Sequence, residues 1–153
     1  MFIFLSRMLL FILLGWMIFP KVRALQSNLF QKIVFFGAVG LNIFLLLELL
    51  HMMAPENNYL LSDILIVLFG VSVISVSTLG ISYNNRYSNK SSFYFVLTII
   101  GFVFSDVAYV IAAYLEFKVF YLADIVANIT GLTALLKFLY YENREKDIRV
   151  LEV

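Results

Sequence analysis

Four carboxylates, Glu48, Asp63, Asp106 and Asp124, interrupt stretches that are otherwise apolar and aromatic. A charge inside a bilayer costs several kcal/mol unless it faces protein or water, so these acids are expected to face the interior of a helix bundle. Asp106 directly follows Ser105 in "GFVFSDVAYV". A carboxyl beside a hydroxyl suits two chemistries: proton transfer as a general acid or base, or a hydrogen-bonded staple between helices. For the staple, Ser105, Tyr109 and Tyr114 are all within reach in sequence. Asn42 and Asn128 add amides, and Arg7 is the cation nearest the middle of an apolar run. At about 1.5 Å per helical residue, Asp106 lies roughly 20 Å into its segment, and Asn42 and Asn128 roughly 14 Å into theirs. The expected polar seam is therefore Arg7, Asn42, Glu48, Asp106, Asp124 and Asn128. Its acids outnumber its cations, so some are expected to be protonated, to hold a cation, or to meet a charge on a partner. The catalytic candidates are Asp106, Ser105, Asp63 and Asp124. Asp63 and Asp124 also suit a plainer role, an acid near the positive end of a helix dipole.

Other chemistries are excluded. The chain has no cysteine and one histidine, His51, at the end of an apolar run. Thiolate catalysis and cysteine-ligated metals are absent, and no metal site or cofactor is expected. No phosphate-binding glycine loop, His-Glu-x-x-His or nucleophile elbow occurs. A net charge of +1 without a dense basic patch argues against a nucleic-acid partner.

The elements that must position these residues follow from composition. Of 153 residues, 63% are hydrophobic and 14% charged, with 16 Phe and 9 Tyr. That excess exceeds what a soluble domain of this size can cover with polar surface. The fold class is an all-α, polytopic transmembrane bundle in a single domain, 1–153. Its spans are expected at about 2–19, 33–53, 59–81, 93–115 and 119–141. The first is interrupted by Arg7 and is read as an uncleaved span rather than a signal peptide, because Lys21 and Arg23 follow its apolar core. Lys and Arg collect on alternate connections: Lys21, Arg23 and Lys32, then Arg86 and Lys90, then Arg144, Lys146 and Arg149. This pattern predicts an outer N-terminus and a cytoplasmic C-terminus; the expected location is a bacterial inner membrane. The tail, 142–153, reads as a solvated helix with Glu142–Lys146 and Glu145–Arg149 pairs. Lys137 is expected to extend toward the cytoplasmic face. An ungapped shift of 61 residues aligns the two hairpins, 33–82 on 94–143, and pairs Gly40 with Gly101, Leu61 with Leu122, Asp63 with Asp124, Ile64 with Ile125 and Gly70 with Gly131. A parallel repeat is one expectation, and such repeats place sites at their interface. Ala123, Ala127 and Ala134 lie close to the face of Asp124, Asn128 and Gly131, which would let a neighbouring helix approach.

From Gly101-x3-Ser105-Asp106 to "ALLKFLYY", about 101–141, the chain resembles the lysoplasmalogenase-like bacterial membrane proteins. The resemblance implies hydrolysis of a lysolipid vinyl ether, with Ser105 and Asp106 as the site pair and Ser62-Asp63 as an echo. The chain departs from that family in having five spans rather than eight, and Asn128 where a His or Gln is usual.

Three functions are compatible with these residues. One is a non-catalytic accessory or structural subunit, with the lipid bilayer and other membrane subunits or a second copy as partners. The others are a lysoplasmalogenase-like lipid hydrolase and a small solute or proton-coupled transporter. The first is the favoured expectation.

Overall fold

The computed structural model describes residues 2–23, 36–37, 39–40, 43–44, 60–114 and 116–151. Four helices are complete among them: α1 (Phe2–Arg23), α2 (Leu60–Tyr87), α3 (Lys90–Tyr114) and α4 (Val119–Leu151). No strand occurs among the described residues, so the class is all-α. Each helix contains a window long and apolar enough to cross a membrane: Leu5–Val22, Ile64–Tyr87, Lys90–Ala113 and Val119–Arg144. These features are consistent with an integral membrane protein. The expected span at 33–53 falls largely outside the described residues, as do Asn42, Glu48 and His51. The short pieces at 36–37, 39–40 and 43–44 have helical backbone.

The chain divides into two compact units, Met1–Leu79 and Gly80–Val153, with the boundary inside α2. In the first unit, α1 meets α2 through Phe11 and Phe69, whose ring centres are 6.0 Å apart. Phe11 and Ile18 are fully buried. A Cβ on Gly15 would come within 3.1 Å of Val76 Cγ2, so a glycine here lets the two helices approach. Pro20 lies inside the last turn of α1 and deprives the backbone of one donor there.

In the second unit, α3 is the central element. It packs on the end of α2 through Tyr83 and Phe95 (5.9 Å, edge to face) and on α4 through Phe95 and Phe138 (5.0 Å). Its apolar window is 44% buried, against 17% for that of α4. Composition explains the difference. Between the large core residues Phe95, Ile99 and Phe102, the other buried positions of α3 are small or hydroxylated, among them Ser91, Thr98, Gly101, Ser105, Ala108 and Ala112. Such residues let two neighbours close on one helix where bulky chains would hold them apart.

The connection 82–92 differs from the expected polar loop. Helix α2 runs on to Tyr87 and α3 begins at Lys90, leaving only Ser88 and Asn89 between them. Ser88 takes a left-handed backbone (φ 44°), and its N–H donates to the Asn84 carbonyl at 2.9 Å. That contact satisfies one of the carbonyls a helix end leaves open. Asn89 then caps α3. The Ser92 N–H donates to Asn89 Oδ1 (2.8 Å), and the Asn89 N–H donates to Ser92 Oγ (3.1 Å). Side chain and backbone are thus satisfied reciprocally, which removes the need for a longer loop.

The closest approach of α3 and α4 is at glycine. A Cβ on Gly101 would lie 2.7 Å from Gly131 Cα and 2.8 Å from Gly131 N, both backbone atoms that cannot swing aside. Gly80 is also tight, but its nearest neighbour is the Ile99 Cδ1 methyl at 2.6 Å, the end of a flexible side chain. We predict that Gly101→Ala lowers the stability of the purified protein by about 1–3 kcal/mol, and that Gly80→Ala costs clearly less. Graded-denaturant unfolding in detergent, followed by far-ultraviolet circular dichroism, checks the order. Equal losses would contradict it.

Candidate functional site

The polar site of the second unit is built on the α3–α4 seam. On α4 the inward residues Asp124, Ala127, Gly131, Ala134 and Phe138 recur at alternating spacings of three and four. That period keeps one stripe of a helix against an antiparallel neighbour. Opposite them on α3 stand Ser105, Gly101, Phe102 and Phe95. The glycine crossing draws the two backbones together, and one turn further along the hydroxyl of Ser105 donates to Asp124 Oδ1 at 2.5 Å. Ser105 is 1% exposed, and Asp124 is half-buried.

The pairing differs from the one that adjacency in sequence suggests. Ser105 and Asp106 are neighbours in the chain, so their side chains leave the helix about 100° apart. Ser105 reaches across to α4 instead. Asp106 is half-buried; its Oδ2 is enclosed and receives no hydrogen bond from the described residues, while the residue makes other interactions. Tyr109 packs edge to face on Tyr121 of α4, with ring centres 6.3 Å apart. Asn128 lies on α4, four residues beyond Asp124, and is half-buried. Asp63 lies in the first turn of α2, within the first unit. Arg7 lies on α1 of that same unit, half-buried and engaged in an interaction. Among the described residues, no group of three or more His, Asp or Glu could hold a metal ion.

A second buried polar cluster closes the other end of the seam. Glu142, expected on a solvated tail, is 2% exposed. Its Oε2 accepts from Ser91 Oγ at 3.2 Å, and Ser91 Oγ accepts a long bond from the Tyr83 hydroxyl at 3.4 Å. The three residues come from α4, α3 and α2 respectively, so the cluster ties all three helices of the unit. Nothing in the run "YYENREKD" singles out Glu142 from Glu145. The usable signal is phase: Glu142 continues the inward stripe of α4 one turn beyond Phe138.

A hydroxyl–carboxyl bond between an enclosed donor and a half-buried acceptor locks two helices. Removing the donor leaves the carboxyl without this partner, whereas an amide in place of the acid keeps an acceptor oxygen in position. We predict that Ser105→Ala destabilises the protein by about 1 kcal/mol, in the range of measured hydrogen bonds between membrane helices. Asp124→Asn should cost less than Ser105→Ala, and Asp124→Leu should cost at least as much. Unfolding of the three variants in the same detergent tests the ranking, and a neutral Ser105→Ala would refute the lock.

No known protein family, curated protein or solved structure matches this chain, so its site stands on its own geometry.

Proposed function

We propose that the protein is a small multi-pass membrane protein acting as a non-catalytic accessory or structural subunit of a membrane complex. The carrying observation is that the second unit spends buried polar groups on its own helix contacts. Ser105 is used by Asp124 and Ser91 by Glu142, each hydroxyl enclosed at no more than 1% exposure. A hydrolase that used Ser105 as a nucleophile would need it open to a lipid head group. This arrangement disfavours that reading and, with it, the role implied by the lysoplasmalogenase-like resemblance.

The outward surface supports the same reading. Leu122, Ile125, Ile129, Leu132 and Leu136 run along α4 and are 48–69% exposed. Contiguous apolar surface of this kind is covered by lipid or by another apolar helix. In the proposed arrangement the N-terminus faces outward and the C-terminus the cytoplasm, following the alternation of Lys and Arg along the chain. The partner is another membrane subunit or a second copy of this chain.

Site-specific photocrosslinking in cells tests the proposal. Benzoylphenylalanine at Leu136, which is 69% exposed, should give a discrete protein adduct; at Ala134, which is 2% exposed, it should give none. The adduct should persist as a stoichiometric companion on purification in mild detergent. A chain that yields no protein adduct and purifies alone overturns the proposal. Asp106→Asn, assayed for lipid hydrolysis and for proton-coupled uptake, then becomes the deciding variant.

A further inference from the structure

The end of the α3–α4 seam that carries Glu142 also carries an arrangement the subunit reading does not use. Tyr94 of α3 and Tyr141 of α4 stack face to face, with ring centres 5.5 Å apart and planes 4° from parallel. Each ring also holds a lysine of the opposite helix. Lys90 Nζ lies 5.9 Å from the centre of Tyr141, and Lys137 Nζ lies 5.2 Å from the centre of Tyr94. The sequence sets up this exchange, because Lys90–Tyr94 and Lys137–Tyr141 are both i, i+4 pairs on their own helices. The attraction between cation and ring holds each flexible lysine near one position. Both lysines remain exposed, and an ammonium has three donors to offer.

From this geometry we infer that the Lys90–Tyr141–Tyr94–Lys137 cluster binds the phosphate of an anionic phospholipid head group. Three observations favour a lipid over a soluble anion. The membrane-crossing windows of α3 and α4 end at Lys90 and Arg144, so the cluster lies at the boundary between apolar and polar surface. Exposed apolar side chains lie beside it, Phe93 at 56% and Leu136 at 69%, where acyl chains would run. The neighbouring acid, Glu142, is turned inward onto Ser91 and leaves the outer charge of the cluster in place. Arg144 is exposed, seven residues from Lys137 on the same stripe of α4, and extends the basic surface. Basic clusters between helices at a membrane surface hold anionic head groups in this way, and each cation adds to the attraction.

The test uses the full-length chain in nanodiscs of mixed phosphatidylcholine and phosphatidylglycerol, with native mass spectrometry of the lipids retained on release. The wild type should retain phosphatidylglycerol preferentially. Lys90→Gln/Lys137→Gln should reduce that preference by about tenfold, and Lys90→Arg/Lys137→Arg should restore it. Gel filtration and circular dichroism of each variant report folding, and the arginine pair keeps the test decisive if the glutamine pair unfolds. An unchanged preference in the glutamine pair overturns the inference. So does equal loss of both lipids, which would make the lysines structural. Displacement of phosphatidylglycerol by inorganic phosphate at millimolar concentration would assign the cluster to a free anion instead, and would overturn the lipid assignment.

Discussion

The second unit depends on one contact that has almost no side chain in it. Gly101 and Gly131 bring two helix backbones so close that a single added carbon would fall 2.7 Å from a backbone atom. In a bilayer, lipid tails are as apolar as leucine, so helices gain little from hiding apolar surface from one another. Close packing and hydrogen bonds have to supply the attraction. The glycine crossing does both, because the approach that maximises van der Waals contact also brings Ser105 within 2.5 Å of Asp124. The same approach lets Phe95 and Phe138 pack with ring centres 5.0 Å apart further along.

The polar groups of this unit are arranged accordingly. Both buried clusters sit on the inward stripe of α4, one on either side of the glycine crossing. Each uses a serine of α3 as donor and an acid of α4 as acceptor. Each serine can reach only one register of the partner helix, so the two bonds fix how far α4 slides along α3. Apolar packing alone specifies such a register loosely. The acids of α4 thus set position, while Leu122, Ile129 and Leu136 on another face of that helix are exposed.

Hydropathy made the helices legible, because runs of about 20 apolar residues have few alternatives. The close approach at Gly131 was also legible, through Ala127 and Ala134 on the same face. The partner of Ser105 was not. Adjacent residues look associated in a sequence, but a helix turns them about 100° apart, and the true partner is nineteen positions away. The burial of Glu142 was hidden for a related reason: its neighbours Asn143 and Arg144 are exposed, so composition reads as a solvated tail. Only the phase of the stripe running back through Phe138 and Gly131 distinguishes it. The short turn at Ser88 and Asn89 was masked by serines that looked like loop formers and instead serve as cap and interhelical donor.

The turn between α3 and α4 bears on how closely those two helices are tied. Around 116–118 it offers one acid, one lysine and Phe117, and Glu116 adopts a left-handed backbone (φ 56°) that reverses the chain at once. The contacts that follow it, from Tyr109 against Tyr121 to Ser91 against Glu142, all pair residues of the two adjoining helices. Helices α3 and α4 are therefore joined as one tight hairpin, with the hydroxyl of Ser105 bonded to the carboxyl of Asp124 beyond the turn.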